Sequence, residues 1–262
     1  MDYFSDKVVL ITGGARGIGL ATALLLGSRG AKVAVSDLLT EALSEAEELL
    51  GSSGIERLAV KSDVSRFEDC EDLVKQTLDR FGRLDVLINN AGVSVVANFD
   101  ELKPEVAKKL YEVNLLGQVY MTLAALPALK SSRGHVIFLS SVGGIRTPPT
   151  STLYGSSKAA LRALAEALRL ELKPFGVHVG VISPGFTTTD PRKTVMKGDG
   201  SPRPIARPPH DTPEGVARGI AKLIEKRKRE IVLTPLGKLT CFLQRLSPSL
   251  LDRLLLGREL KN

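Results

Sequence analysis

Two groups of residues in this chain have types and spacings suited to chemistry. Tyr154-Gly155-Ser156-Ser157-Lys158 sets a phenol and an ammonium four residues apart, and on a helix that spacing puts both on one face. A lysine beside a tyrosine stabilises the phenolate and draws its pKa down from about 10. The phenol can then pass a proton to or from a substrate oxygen. Alone, the spacing equally suits a solvated helix face. The second group is Thr12-Gly13-Gly14-Ala15-Arg16-Gly17-Ile18-Gly19, with glycines at 13, 17 and 19 directly after an apolar run. Glycine lets the backbone approach a pyrophosphate without a Cβ in the way. A helix starting there aims its free N–H groups at the phosphates. Asp37 ends the next apolar run, where an acid accepts hydrogen bonds from an adenosine ribose and repels a 2′-phosphate. It favours NAD. Arg16, a base in the glycine turn, pulls toward NADP, but no base follows Asp37 in Leu38-Leu39-Thr40.

Short β-branched runs alternate with longer helical ones, and this order must position those groups. Strands are predicted at Val8–Ile11, Lys32–Val35, Leu58–Val60, Leu84–Ile88, His135–Leu139, Val177–Ile182 and Ile231–Leu233. Helices are predicted over Ile18–Ser28, Thr40–Leu50 with Thr40 as N-cap, Ser65–Phe81, Pro104–Leu129, Tyr154–Leu172 and Pro213–Ile224. Alternation of this kind gives an α/β fold: a Rossmann-type, doubly wound, seven-stranded parallel sheet with helices on both faces, in a single domain. Near-continuous apolar strands agree with burial on both sides. Residues 190–212 carry Pro191, Pro202, Pro204, Pro208 and Pro209 and read as a long irregular insertion; a loop of that length is a substrate lid or an inert connection.

Six signatures standing in order make the chain resemble the classical branch of the short-chain dehydrogenase/reductase superfamily. They are the glycine turn, Asn89-Asn90-Ala91-Gly92, Asn114, Ser140-Ser141, Tyr154 with Lys158, and Pro184-Gly185. The resemblance covers roughly residues 5–234. It implies hydride transfer between a nicotinamide dinucleotide and a secondary alcohol or ketone. NAD is the expected cofactor and NADP the alternative. The implied catalytic residues are Asn114, Ser141, Tyr154 and Lys158: Tyr154 moves the proton, Ser141 holds the substrate oxygen, Lys158 tunes Tyr154 and holds the nicotinamide ribose, and Asn114 holds a water of the proton relay. The implied cofactor residues are Thr12, Gly13, Arg16, Gly17, Ile18, Gly19, Asp37, the adenine-flanking pair Asp63 and Val64, the wall Asn90, Ala91 and Gly92, then Tyr154, Lys158, Pro184 and Gly185. Ile182, Thr187 and Thr189 match contacts to the nicotinamide carboxamide. Ile145, Pro148, Pro149, Leu153 and Phe186 suggest an apolar pocket, hence a steroid-, lipid- or 3-oxo-type substrate. A silent NAD-binding sensor on the same fold is the alternative, and retention of all four catalytic types argues against it.

The 262 residues are 43% hydrophobic and 25% charged, a globular composition that excludes disorder and a disulfide scaffold. Two cysteines, Cys70 and Cys241, fit a reducing, cytoplasmic compartment. The three histidines match no ligand spacing, so no metal is expected. The net charge of +7 is uneven: residues 1–189 hold 20 basic and 21 acidic side chains, and residues 190–262 hold 16 and 8. The short run Lys226–Arg229 lacks aromatic neighbours, so no nucleic-acid partner is expected. Beyond the domain at 1–234, residues 235–262 read as an amphipathic helical extension, with Leu239, Phe242, Leu243 and Leu246 on one face. That face has three uses open to it: capping the substrate cleft, packing on another subunit, or peripheral membrane contact through 236–257. The helices at 104–129 and 154–172 resemble the pair through which members of this superfamily form homodimers and homotetramers.

Overall fold

The computed structural model describes residues 2–188, 190, 192–205 and 211–259; Thr189, Pro191 and residues 206–210, including His210, lie outside them. Among the described residues the strands are β1 (Val8–Thr12), β2 (Lys32–Asp37), β3 (Arg57–Lys61), β4 (Val86–Asn89), β5 (His135–Leu139), β6 (His178–Ser183), β7 (Thr194–Met196), β8 (Pro202–Pro204) and β9 (Glu230–Val232). The helices are α1 (Gly17–Gly27), α2 (Thr40–Ser52), α3 (Phe67–Phe81), α4 (Pro104–Tyr111), α5 (Gly117–Ser132), α6 (Thr152–Glu171), α7 (Pro213–Glu225), α8 (Pro235–Leu246) and α9 (Pro248–Glu259). Seven strands form one sheet in the order β3-β2-β1-β4-β5-β6-β9, and every neighbouring pair is parallel. A parallel pair requires a crossover connection, so every strand of this sheet ends, at its carboxyl end, on the same edge.

Strand side chains alternate between faces, and the core divides accordingly. Val9, Ile11, Val33, Val35, Val86 and Ile88 pack with α1, α2 and α7. Val8, Leu10, Ala34, Leu87, Val136 and Phe138 pack with α3, α5 and α6. The expected doubly wound sheet is therefore present, with element ends shifted by one to three residues. Three local readings change. Leu39, not Thr40, is the N-cap of α2, with no side-chain cap. The helix predicted over 104–129 is interrupted by a π-turn at Glu112–Leu116, where Gly117 N–H reaches back to Glu112 O. Part of the insertion read as irregular forms an antiparallel ribbon of β7 and β8. Pro202 and Pro204 hid it; proline donates no ladder bond and is tolerated in such an edge strand. Residues 235–259 form the two helices α8 and α9. Arg146, just after β5, ties them down by pairing with Asp252 and donating to Gln244, and Leu251 is buried. Leu239, Phe242 and Leu246 remain exposed, whereas Leu243 is half-buried. No described helix is long and apolar enough to cross a membrane.

At the opposite, amino-terminal edge lies a buried imidazole pair. His178 Nε2 lies 2.9 Å from Lys228 O; a carbonyl only accepts, so this nitrogen carries the proton. His178 Nδ1 then accepts from His135 Nδ1 at 3.0 Å, and His135 Nε2 accepts from the Tyr3 hydroxyl at 2.9 Å. This arrangement holds both rings neutral, the state that their burial favours. Burial, joined for His135 by the His178 charge, pushes His135 down to about 3 and His178 down to about 4. The unfolded chain, with ordinary imidazoles near 6.5, takes up these protons first. The neutral pair's stabilisation is thus complete above about pH 6.5 and is lost as pH falls toward 4. Urea denaturation should show stability dropping between pH 6 and 4.5 by about 1.4 kcal/mol per pH unit for each imidazole. Stability independent of pH across that window would remove the neutral-pair assignment.

Candidate active site

The order reverses between β1 and β4: β2 and β3 run to one side of β1, β4 and its successors to the other. At such a switch point the loops diverge and leave a crevice. Asn90 bridges it. Its Nδ2 donates to Thr12 O and Gly13 O, each at 2.8 Å, while Thr12 Oγ1 accepts from the N–H groups of Asn90 and Ala91, each at 3.1 Å. The glycine turn is pinned by this bridge. A Cβ on Gly19 would stand 2.3 Å from Gly13 O, and Gly13 has φ +61°, so neither position takes another residue without strain. Gly17 differs: φ is +52° and a Cβ there would meet nothing within 4 Å. The space above it is open. Arg16 is the N-cap of α1 and supplies no side-chain cap, which leaves the first-turn N–H groups free for an anion. An open cradle under unpartnered donors fits a pyrophosphate. Asp37, at the end of β2, has one carboxylate oxygen on Leu39 N–H at 3.2 Å.

The Tyr154 group stands on the other side of the crevice. Ser141 follows β5 and accepts from Gly143 N–H at 3.1 Å; a Cβ placed on Gly143 would lie 3.5 Å from Ser141 Oγ and 3.7 Å from the Tyr154 ring. Lys158, buried, donates from Nζ to Leu139 O at 2.8 Å. Its ammonium lies 5.9 Å from the centroid of the Tyr154 ring. Asn114, fully buried in the π-turn, accepts from Val93 N–H at 2.8 Å and donates to Val93 O at 2.9 Å and Ser157 Oγ at 3.2 Å. A Cβ on Gly92 would sit 3.2 Å from Asn114 Oδ1 and 3.4 Å from Lys158 Nζ, which locates both polar groups at one point. π-turns recur at functional sites, and this one faces Asn114 toward the loop after β4.

The electrostatics differ from the simple Tyr-Lys expectation. Burial raises the Tyr154 phenol above its ordinary value, and a hydrogen bond with Ser141 opposes it. Burial pushes Lys158 down to about 7, helped by the charge of Lys193. Desolvation is the largest cause of both shifts. Burial thus disfavours the charged form of each, and it brings Lys158 near neutrality rather than discharging it.

Other expected residues scatter by comparison. Ser140 Oγ donates to Lys158 O at 2.7 Å and so ties β5 to α6, as a strand-end serine. Asp63 is engaged locally, accepting from Ser65 N–H and Oγ. Val64 is turned into the core against Gly117. Ile182 is fully buried beneath α7. Pro184 O accepts from Val142 N–H at 3.0 Å, Gly185 packs against Thr234, and Thr187 Oγ1 donates to Gly185 O at 3.2 Å. Ile18 is half-buried behind the turn. Two residues had no sequence signal. Met196 of β7 joins Val93, Leu153 and Tyr154 in a small apolar cluster. Lys193 is exposed; desolvation lowers it, with the Arg16 charge adding to this and Asp37 opposing.

A family model described as short chain dehydrogenase matches residues 7–200. The 11-beta-hydroxysteroid dehydrogenase 1A of Arabidopsis thaliana is 32% identical over 264 residues, covering 94% of this chain and 73% of that protein. A short chain dehydrogenase/reductase from Burkholderia phymatum, solved in complex with NAD, superposes with a TM-score of 0.83 at 26% identity, covering 95% of this chain and 96% of that one. An alcohol dehydrogenase from Thermococcus sibiricus, complexed with 5-hydroxy-NADP, gives 0.74 at 30% identity, covering 87% and 95%. The chain belongs to the short-chain dehydrogenase/reductase family of oxidoreductases.

The raised phenol yields a direct expectation. In the unliganded protein, the difference in ultraviolet absorbance between wild type and Tyr154→Phe should show this phenol ionising only above pH 10. Ionisation below pH 9 would mean that Lys158, not burial, sets its state.

Proposed function

We propose that this chain interconverts a secondary alcohol and a ketone with a nicotinamide dinucleotide, NAD in preference to NADP. The observation that carries this reading is the meeting of Tyr154, Ser141 and Lys158 on the same sheet edge as the uncapped N-terminus of α1. Gly13, Gly17 and Gly19 make the cradle, with Thr12, Ala91 and Asn90 bracing it. Asp37 receives the adenosine ribose, and its charge disfavours a 2′-phosphate. The bound dinucleotide supplies or accepts the hydride. Ser141 Oγ holds the substrate oxygen, and Tyr154 Oη gives it a proton in reduction or takes one in oxidation. The neutral phenol is ready as the acid. Lys158 Nζ offers the positive charge that a transient phenolate requires, and Leu139 O fixes its position. Asn114 holds the Val93 backbone, and through it the wall of the pocket.

The apolar cluster of Val93, Val95, Leu153 and Met196 around Tyr154 favours an apolar substrate of steroid, lipid or 3-oxo type, a class that agrees with the name of the Arabidopsis relative. A polar network of this completeness has no use in a silent sensor.

Two measurements test this reading. Tyr154→Phe should lower turnover by about 10²–10⁴-fold, the usual worth of a positioned acid or base, while NADH binding stays within about twofold of wild type. Unchanged turnover would sink the assigned role. Separately, Asp37→Ser should raise kcat/KM for NADP relative to NAD by about tenfold, equivalent to some 1.4 kcal/mol of relieved repulsion. An unchanged ratio would mean that the carboxylate does not select the cofactor.

A further inference from the structure

Six charged side chains that the chemistry above does not use gather around one cavity. Arg162, Glu166 and Arg169 stand on successive turns of α6, Arg229 and Glu230 at the entry to β9, and Arg245 on α8. Beside Val181 of β6 they line a space of about 230 Å³. Pockets for drug-sized ligands begin at about 300 Å³, so this one suits a small ion or the head of a larger molecule.

Two of the charges cancel. Arg162 pairs with Glu230, which also accepts from Ser183 Oγ at 3.3 Å. Arg169, half-buried, is fixed differently: its Nε donates to Val179 O and its Nη2 to Arg229 O, each at 3.0 Å. Carbonyl oxygens orient a guanidinium without neutralising it. Among the described residues no carboxylate pairs with Arg169, Arg229 or Arg245. Three positive charges therefore line the cavity against one unspent negative charge, that of Glu166. Burial lowers Arg169, and the Arg229 charge is the next cause; Glu166 and Glu230 oppose, and Arg162 adds to the lowering. Like charges thus crowd a partly dried site, and an anion between them would relieve that cost.

We propose that this cavity is an anion site whose ligand is a phosphate monoester held by Arg169, Arg229 and Arg245. A guanidinium fork matches the oxygens of phosphate in pairs. The three donors come from three elements, α6, the entry to β9 and α8. A tetrahedral dianion presents acceptors in all directions, whereas a carboxylate presents them in one plane. The bound anion ties α8 to α6 and to the sheet edge. Nearer its start, that helix packs by Gly237 against Val142 and Val232, and Arg245 lies two turns further along. The site shares no residue with the dinucleotide crevice and does not depend on how that crevice is read.

The test titrates the full chain with inorganic phosphate by calorimetry. Arg229→Gln and Arg245→Gln should each weaken binding by about tenfold, the scale of one charge-assisted hydrogen bond. Both side chains are exposed, so thermal unfolding without phosphate should stay as in wild type. Glu166→Gln should act in the opposite direction and tighten binding by about threefold, as a like charge leaves an exposed position. Phosphate lodged on the glycine turn would be indifferent to all three changes. Equal affinity in wild type and the Arg229→Gln/Arg245→Gln double variant overturns the site, and so does weaker binding in Glu166→Gln or a wild type with no saturable binding. Two further titrations identify the source of the monoester: glucose 6-phosphate, and phosphatidylcholine vesicles with and without phosphatidic acid. Loss of the sugar phosphate alone in the double variant supports a soluble ligand. Loss of binding to the phosphatidic acid vesicles supports a lipid head group. If the double variant alters neither, the monoester assignment is overturned.

Discussion

The hydrogen bonds by which Asn90 joins the ends of β1 and β4 are the interaction on which the rest of the site depends. Two adjacent parallel strands whose loops run in opposite directions leave a gap in the sheet edge, and a gap lined by backbone must satisfy its polar groups. One side-chain amide meets two carbonyls of the glycine turn, and the Thr12 hydroxyl meets two N–H groups of the opposing loop. The turn is thereby held open rather than collapsed onto β4. Gly17 keeps the space above it, and the first turn of α1 keeps its donors unspent. The same bridge orients residues 91–93, on which Asn114 and the neighbourhood of Lys158 are built. Cofactor cradle and proton-transfer group are two sides of one braced gap.

Burial is the second determinant. Lys158 and Asn114 are almost completely removed from water, and each is stabilised by a fixed backbone partner. A buried amide without such partners costs about 1–3 kcal/mol, so these contacts are a condition of the fold as well as of the chemistry. The cost of keeping an ammonium dry is visible in its downward shift to about 7, and that of a dry phenolate in the upward shift of Tyr154. In the unliganded site burial therefore works against both charges.

Much of this was legible in the sequence. The sheet could be read because each strand is a short run buried on both faces, such as Val8–Thr12 and His135–Leu139. Each signature motif directly follows such a run, so one edge had to collect them. What was not legible depends on distance across the fold. Asn114 was assigned to a plain helix because a single additional residue in a helical turn leaves the apolar period almost intact; the π-turn became visible only with its Val93 partner. Ile182 and Val64 sit at motif positions but point into the core, since a strand's face is fixed by its register with neighbours. The direction of the Tyr154 shift could not be read from a four-residue spacing, because it is set by surrounding atoms rather than by Lys158. The ribbon of β7 and β8 was masked by its prolines.

The central claim, that the braced gap carries out hydride transfer onto a carbonyl carbon, is tested most directly by isotope transfer. The wild-type chain would be supplied with the reduced cofactor deuterated at C4, on either face, and a panel of apolar ketones including steroids and 3-oxo compounds. The account predicts an alcohol product that retains one deuterium on its carbinol carbon from one of the two faces, in ordinary water. Product whose carbinol hydrogen comes from solvent with both deuterated cofactors, or cofactor binding without reduction of any ketone in the panel, would contradict it.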